Sequence, residues 1–534
     1  MITPRKLSVI LFSGNRDALL IAIAGFAMIQ LLSRHGGIGL SPDSIVYLST
    51  AQNIHDHGLI NDYTNQPMMD FPAGYPIFLS FLIFLTGHSV PWFGPVLDGL
   101  LFGLLIWLCG WVMDRFSRPS RWYKWPLLIF LLLSPCLLEV YSMIWSETLF
   151  LLLSILFMIG CHRYFRTHSI RVLLAIAVIA GLSCLTRYAG ISIIGMGGLL
   201  MLCDSRLRWG ARKIGHLFLF GAISVVFPVL NIYRNWQVTG TFTGYREKAI
   251  RSLSANLHDA GSVFCDWLPF FNERYSWATV VALLFLLGIT GIFVRRLVKR
   301  TNFFSYDTIG ISYFVAYAVF ILYTASVSRF QQLDSRLLSP LFIPWLWGST
   351  VWIPAVTARL ASRPRKIAAT AALTVAGCCF FYGECAAFQF NWEGIKYAGI
   401  PGYTEDSWQH SPTIAYVKAH KAELETKGVI YSSSTDGLWF LANVPAELIP
   451  HFETQEDIDY MMRQDHFTVI WFDDSVNTDL IDVNYIRKHK ELVSELHFDD
   501  GAIYYFRTPP NPTPGQNSPP GAAAAQNPPP APGH

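Results

Sequence analysis

Long apolar runs separated by short polar stretches dominate the first 384 positions of the chain. A helix needs about 20 apolar residues to cross a bilayer core. Runs at residues 18–33, 96–113, 126–140, 148–162, 172–186, 190–203, 214–231, 277–294, 308–326, 337–358 and 367–384 meet or approach that length, and they predict about eleven transmembrane helices. The run at 75–87 (YPIFLSFLIFLTG) reaches only about two thirds of a span. It reads as an interfacial or re-entrant helix, or as a true span offset by a second miscounted one. Beyond residue 384 the long runs stop. Helix-like stretches alternate there with short β-rich ones at 428–432 (GVIYS), 468–472 (TVIWF) and 502–506 (AIYYF). This predicts a small α/β domain over residues 385–507. Residues 508–534 are rich in Pro, Ala, Gly and Asn and read as a disordered tail. The expected class is an α-helical polytopic membrane protein with a small C-terminal α/β domain.

Composition agrees with the pattern. The 534 residues are 52% hydrophobic and 15% aromatic, with only 14% charged. Soluble domains carry about 25% charged residues, so most of this chain faces lipid. A disordered, collagen-like or disulfide-stapled secreted architecture is excluded. The net charge of +3 gives no reason to expect a nucleic-acid partner.

The basic residues set the orientation. With the N-terminus inside, 22 of the 40 Lys and Arg residues fall in six inward stretches. These stretches contain Arg5, Lys6 and Arg16; Arg115, Arg118, Arg121 and Lys124; Arg163, Arg166 and Arg171; Arg206, Arg208, Arg212 and Lys213; Arg295, Arg296, Lys299 and Arg300; and Arg359, Arg363, Arg365 and Lys366. The first outward loop, 34–75, has Arg34 against Asp43, Asp56, Asp62 and Asp70. This is the positive-inside pattern. It places the N-terminus in the cytoplasm and, after an odd number of spans, the C-terminal domain outside.

The outward polar segments are where chemistry is expected. In loop 34–75, Ser41-Pro42-Asp43 reads two ways. Ser, Pro and Asp suit the cap, first residue and first turn of a helix. The same helix would also hold Asp43 at the membrane surface as a carboxylate base. Glu147, after Trp145-Ser146, likewise reads as a first-turn acid or as a functional carboxylate. His55-Asp56-His57 is a poor metal site, because residues two apart do not share a helix face. The Trp residues near span ends, Trp145 and Trp236 among them, fit an aromatic belt.

A run of motifs resembles the GT-C superfamily of glycosyltransferases, of the family 39 type that includes protein O-mannosyltransferases and the lipid A aminoarabinose transferase. The motifs are Asp43, Tyr47 and Ala51; then Pro72-Ala73-Gly74-Tyr75-Pro76; Trp145-Ser146-Glu147; Thr186-Arg187-Tyr188-Ala189-Gly190; Tyr233-Arg234-Asn235 with Gly240 opening an outer loop; and Asp334-Ser335-Arg336-Leu337-Leu338-Ser339-Pro340. Their order spans roughly residues 15–360. The resemblance implies a sugar donor on a polyprenyl phosphate and a glycan, lipid or protein acceptor. It also implies a place in the bacterial inner membrane with the C-terminal domain periplasmic. Asp43 would be the catalytic base. Glu147, Arg187, Arg234, Arg336, Tyr47 and Tyr75 would bind substrate, the arginines holding the departing phosphate. Relatives differ in whether the acid matching Glu147 holds a metal, so a divalent metal is possible there but not required. Asp43 stands alone where the protein O-mannosyltransferases have an Asp-Glu pair, and no MIR-like domain is present. The alternative is a transporter or flippase of a lipid-linked saccharide. Paired repeats would mark that class, and none is visible.

Overall fold

The computed structural model describes residues 15–116, 121–244, 246, 248–268, 275–299, 304–329, 332–360, 362–473 and 479–509. Arg5, Lys6, Arg118, Arg300 and the tail from residue 510 onward lie outside the described residues. The chain divides into two compact units, Met1–Ser411 and Pro412–His534.

The first unit is helical. Each of the eleven apolar runs falls on a helix: Arg16–Leu32, Val90–Met113, Arg121–Leu133 with Pro135–Tyr141, Ser146–Thr167, Ile170–Thr186, Ile191–Cys203, Ala211–Thr239, Ala278–Lys299, Tyr306–Val327, Ser335–Ala358 and Arg363–Ala398. By length and composition, six helices among the described residues can each cross a membrane, and a bent pair would make a seventh. That pair bends by 49° between Leu133 and Pro135. Proline has no N–H to continue the ladder and clashes with the preceding turn. The chain is a multi-pass membrane protein. Large apolar side chains such as Phe81, Phe218, Leu284 and Phe390 stand exposed on its helices, as a lipid-facing surface requires.

Between the first two apolar runs lie two more helices. Pro42–His57 is polar outward and ends at Gly58, whose φ of 69° lies in the left-handed region. Gly74–Thr86 covers the short run and is a 13-residue apolar helix. The helix Ala211–Thr239 is longer than the hydrophobic run beneath it. Tyr233, Arg234 and Asn235 were expected to open an outer loop, but they form its last turns. The helix stops only at Gly240, which adopts φ 72°.

The bundle has two polar ends. At one end Lys124 is buried and donates to Asp17 at 2.7 Å and Asp114 at 2.8 Å. His168 meets Asp204 at 2.7 Å, Arg206 donates to the Phe165 carbonyl at 3.3 Å, and Arg296 pairs with Asp307 at 2.5 Å. The start of helix Ser146–Thr167 lies at the opposite end, about 30 Å away at 1.5 Å per residue.

The second unit is built on one five-stranded sheet in the order β2-β1-β3-β5-β4. β1 (Val429–Ser432) runs parallel to β2 (Glu447–Leu448) and to β3 (His466–Phe472). β5 (Gly501–Arg507) runs antiparallel to β3 and to β4 (Glu491–Phe498). The three β-rich stretches of the sequence are β1, β3 and β5. β2 has two residues, and β4 is an edge strand without a long apolar run, so neither stands out in the sequence. The core of this unit includes Tyr431, Ile449, Phe467, Val469, Ile486 and Phe506.

Candidate active site

Two acidic helix starts are brought together by one backbone contact. Gly39 and Met143 form an isolated parallel bridge. The Gly39 N–H donates to the Ser142 carbonyl at 2.9 Å, and the Ile144 N–H donates to the Gly39 carbonyl at 3.2 Å. Four residues after each bridging residue stands a first-turn acid, Asp43 in Pro42–His57 and Glu147 in Ser146–Thr167. Position 39 has no room for a side chain. A Cβ there would lie 2.1 Å from the Met143 sulfur and 2.5 Å from Ile400.

Asp43 does not cap its helix. Ser41 Oγ accepts the Ser44 N–H at 3.4 Å, and Ser44 Oγ accepts the Ser41 N–H at 3.1 Å. This reciprocal pair is a capping box. It leaves the Asp43 carboxylate free for other contacts, in the positive field of the helix start.

Arg336 comes from the first turn of Ser335–Ala358. Its Nη2 donates to Asp43 Oδ2 at 2.5 Å and its Nε to Glu147 Oε1 at 2.5 Å. Arg187 leaves the end of helix Ile170–Thr186 in an extended conformation, φ −146° and ψ 137°. Its Nη1 pairs with Glu147 Oε2 and also donates to Ser146 Oγ at 3.0 Å. Glu147, 1% exposed, is thus spent between two guanidiniums, whereas the Asp43 side chain is 29% exposed. Among the described residues no contact engages Asp43 Oδ1. The cluster therefore holds two fixed cations beside one carboxylate oxygen without a contact among the described residues.

Tyr47 lies one turn after Asp43 and is buried. Its hydroxyl shares a 3.2 Å hydrogen bond with Ser146 Oγ. Burial first, and then the Asp43 charge, push the Tyr47 hydroxyl above its usual range, so it stays protonated. Tyr75 packs edge-on against Tyr47, with ring centroids 5.2 Å apart. It is a wall for Tyr47, and its buried hydroxyl has no hydrogen-bond partner among the described residues.

Arg234 stands apart from this group. It donates to the carbonyls of Met68 and Ile60, each at 2.7 Å, and so fastens the loop that follows helix Pro42–His57. Asp334 accepts the Leu337 N–H at 2.8 Å and starts the helix that presents Arg336.

Two members were not singled out from the sequence. Trp145 lies with its ring 3.9 Å from Arg336 Cζ and donates its indole N–H to Ser41 Oγ at 2.7 Å. Ser146 links Tyr47 to Arg187. Both adjoin Glu147, and that adjacency was the available signal. Glu147 does not fit a metal ligand here, since both of its oxygens are taken by guanidiniums and two cations flank it. Among the described residues no group of three His, Cys, Asp or Glu side chains is arranged to hold a metal ion.

No family model and no curated protein matches the chain. Solved structures do. The crystal structure of ArnT from Cupriavidus metallidurans bound to undecaprenyl phosphate superposes with a TM-score of 0.50 at 12% identity, covering 91% of this chain and 97% of that one. The same protein in the apo state gives 0.48 at 14% identity, with the same coverage of 91% and 97%. The arabinosyltransferase EmbB from Mycobacterium smegmatis gives 0.37 at 14% identity, covering 74% of this chain and 42% of that one. The first of these shows that the chain shares the fold of that ArnT over most of its length.

Proposed function

We propose that this chain transfers a sugar from a polyprenyl-phosphate donor to an acceptor hydroxyl at the outer membrane face, with inversion at the sugar. The observation that carries the reading is the Asp43–Arg336–Glu147–Arg187 cluster at one end of a spanning bundle. A lipid-linked donor lies in the bilayer, so its phosphate meets the protein at such an end. The ArnT structure of the same fold holds undecaprenyl phosphate.

The chemistry follows from the contacts. The acceptor oxygen attacks the anomeric carbon as the bond from that carbon to the phosphate oxygen breaks. The acceptor proton passes to Asp43. The phosphate leaves with an added charge, which Arg336 and Arg187 are built to hold in forked hydrogen bonds. Arg336 now occupies Asp43 Oδ2. An arriving phosphate competes for that guanidinium and frees the carboxylate to act as base. Glu147 orients both arginines without reacting. The protein would sit in a bacterial inner membrane, N-terminus cytoplasmic and sheet unit periplasmic. The donor sugar is a hexose or pentose.

The test is transfer by purified protein from radiolabelled polyprenyl-phosphate sugars to an envelope acceptor extract. Asp43→Asn should lower the rate by roughly 10²–10⁴-fold, the range of a lost general base, with an unchanged melting temperature. Equal rates in the two proteins would remove Asp43 from the mechanism. An inert wild type that still binds the donors would remove the transferase reading.

A further inference from the structure

Beside the arginine cluster lies a second chamber of opposite character. Its volume is about 810 Å³, and its walls carry Glu139, Asp266, Glu384, Glu393 and Glu405 with no Lys, Arg or His. Ser335, next to Arg336 in sequence, belongs to the wall and donates to Glu139 Oε2 at 2.6 Å. None of these five carboxylates is in a salt bridge among the described residues. Glu384 is the telling member. It is 8% exposed, and its Oε2 is buried without a hydrogen-bond partner. Taking an ionised carboxylate out of water without a partner costs several kcal/mol. Burial also raises the Asp266 carboxyl above its ordinary range. Among the described residues the walls therefore carry acidic groups without a cationic partner, one of them buried.

A metal ion does not answer this shortage. The carboxylates are dispersed around a space far larger than an ion, and no metal-holding group of three occurs among the described residues. The remaining walls include Trp267 and Trp392. Aromatic faces attract organic cations, more strongly where water is excluded. The volume lies in the range of small-molecule sites. Glu384 also sits at a suitable depth. Eighteen residues separate it from Lys366 in one helix, about 27 Å at 1.5 Å per residue, close to the bilayer core thickness. It is therefore near the membrane face where the arginine cluster lies.

We propose that this chamber binds an ammonium-bearing, sugar-sized unit of the acceptor and delivers the neighbouring hydroxyl to Asp43. The placement on the acceptor rests on the transferase reading. The donor sugar is bonded directly to its phosphate, and a chamber of carboxylates repels that anion. The acceptor has no such constraint.

Binding is tested without transfer, so the two readings fail separately. Purified full-length protein is titrated with glucosamine and with N-acetylglucosamine, which differ in charge but share the ring. Tryptophan fluorescence is the readout. Glucosamine should bind saturably and N-acetylglucosamine should not. Glu384→Gln and Asp266→Asn should each weaken glucosamine by about tenfold or more, as expected for a lost charge-assisted contact, with melting temperatures equal to or above wild type. Equal binding of the two sugars, no binding of either, or unchanged affinity in both variants overturns the proposal. Tighter binding of calcium alone, lost in Glu384→Gln, overturns it in favour of a metal. In the transfer assay, N-acetylation of the acceptor extract by aqueous acetic anhydride should cut the rate at least tenfold. An unchanged rate overturns the placement on the acceptor.

Discussion

At the scale of single residues, the cluster separates carboxylates that looked equivalent in the sequence. Asp43 and Glu147 each stand in the first turn of a helix, and capping accounts for an acid there without any function. The difference lies in their partners. Glu147 is enclosed by Arg187 and Arg336, and Asp43 has one guanidinium and one open oxygen. Glu147→Gln would leave Arg187 buried without its carboxylate, and two guanidiniums sharing the single charge of Asp43. Loss of one partner from a buried pair costs about 3–5 kcal/mol, so this variant should melt well below wild type in detergent and lose transfer with it. Asp43→Asn, at a more exposed position, should melt within about 1 kcal/mol of wild type and lose transfer alone. If both variants kept wild-type melting temperatures, Glu147 would not be the anchor described here. The resemblance to the GT-C motifs pointed to Asp43, Glu147, Arg187 and Arg336, and the fold brings these four side chains into one cluster. Arg234 belongs to the same residue class, but its partners are backbone carbonyls, which no spacing rule reveals.

At the scale of elements, the site depends on two non-helical joints. The bridge of Gly39 to Met143 sets where the two acidic helices start. Gly39→Ala should push the two bridged segments apart, at a cost of about 1–3 kcal/mol for overpacking, and lower transfer by separating Asp43 from Arg336. Met143→Ala in the same chain removes the nearer obstacle and should restore part of both losses. No recovery in the double variant would show that Met143 is not the obstacle. The second joint is Arg234 on the carbonyls of Ile60 and Met68. Arg234→Ala should make the loop after helix Pro42–His57 more sensitive to limited proteolysis, with cleavage mapped between residues 59 and 73. An unchanged digest would deny Arg234 that structural role. Hydrophobic runs exposed the helices themselves, because lipid demands apolar length. Their ends were less legible. The helix Ala211–Thr239 outruns its apolar stretch by carrying Tyr233, Arg234 and Asn235 on its final turns. The register of β4 was hidden because an edge strand needs no continuous apolar face.

At the scale of the whole molecule, charge separates the two ends of the bundle. One end gathers Lys124, Arg206 and Arg296 with their acidic or carbonyl partners, and the other gathers the arginine cluster. The positive-inside pattern of the sequence leads to the expectation that the Lys124 end faces the cytoplasm. It could not convey the chamber, whose walls come from segments as far apart as Leu32 and Glu405. The orientation can be measured directly. Thr64, in the first loop, and Thr167, at the end of helix Ser146–Thr167, are both exposed. Single Thr64→Cys and Thr167→Cys substitutions are treated with an impermeant maleimide on whole spheroplasts, against the wild-type labelling background of Cys378 and Cys379, which are also exposed. Thr64→Cys should label at once. Thr167→Cys should label only after the membrane is opened, since the length of one helix places it about 30 Å from the start of Ser146–Thr167. The reverse result would put the arginine cluster on the cytoplasmic side, where its donor would have to present its sugar before crossing. Labelling of both positions in closed spheroplasts would break the two-ended picture, in which the first loop and the end of helix Ser146–Thr167 face opposite solutions.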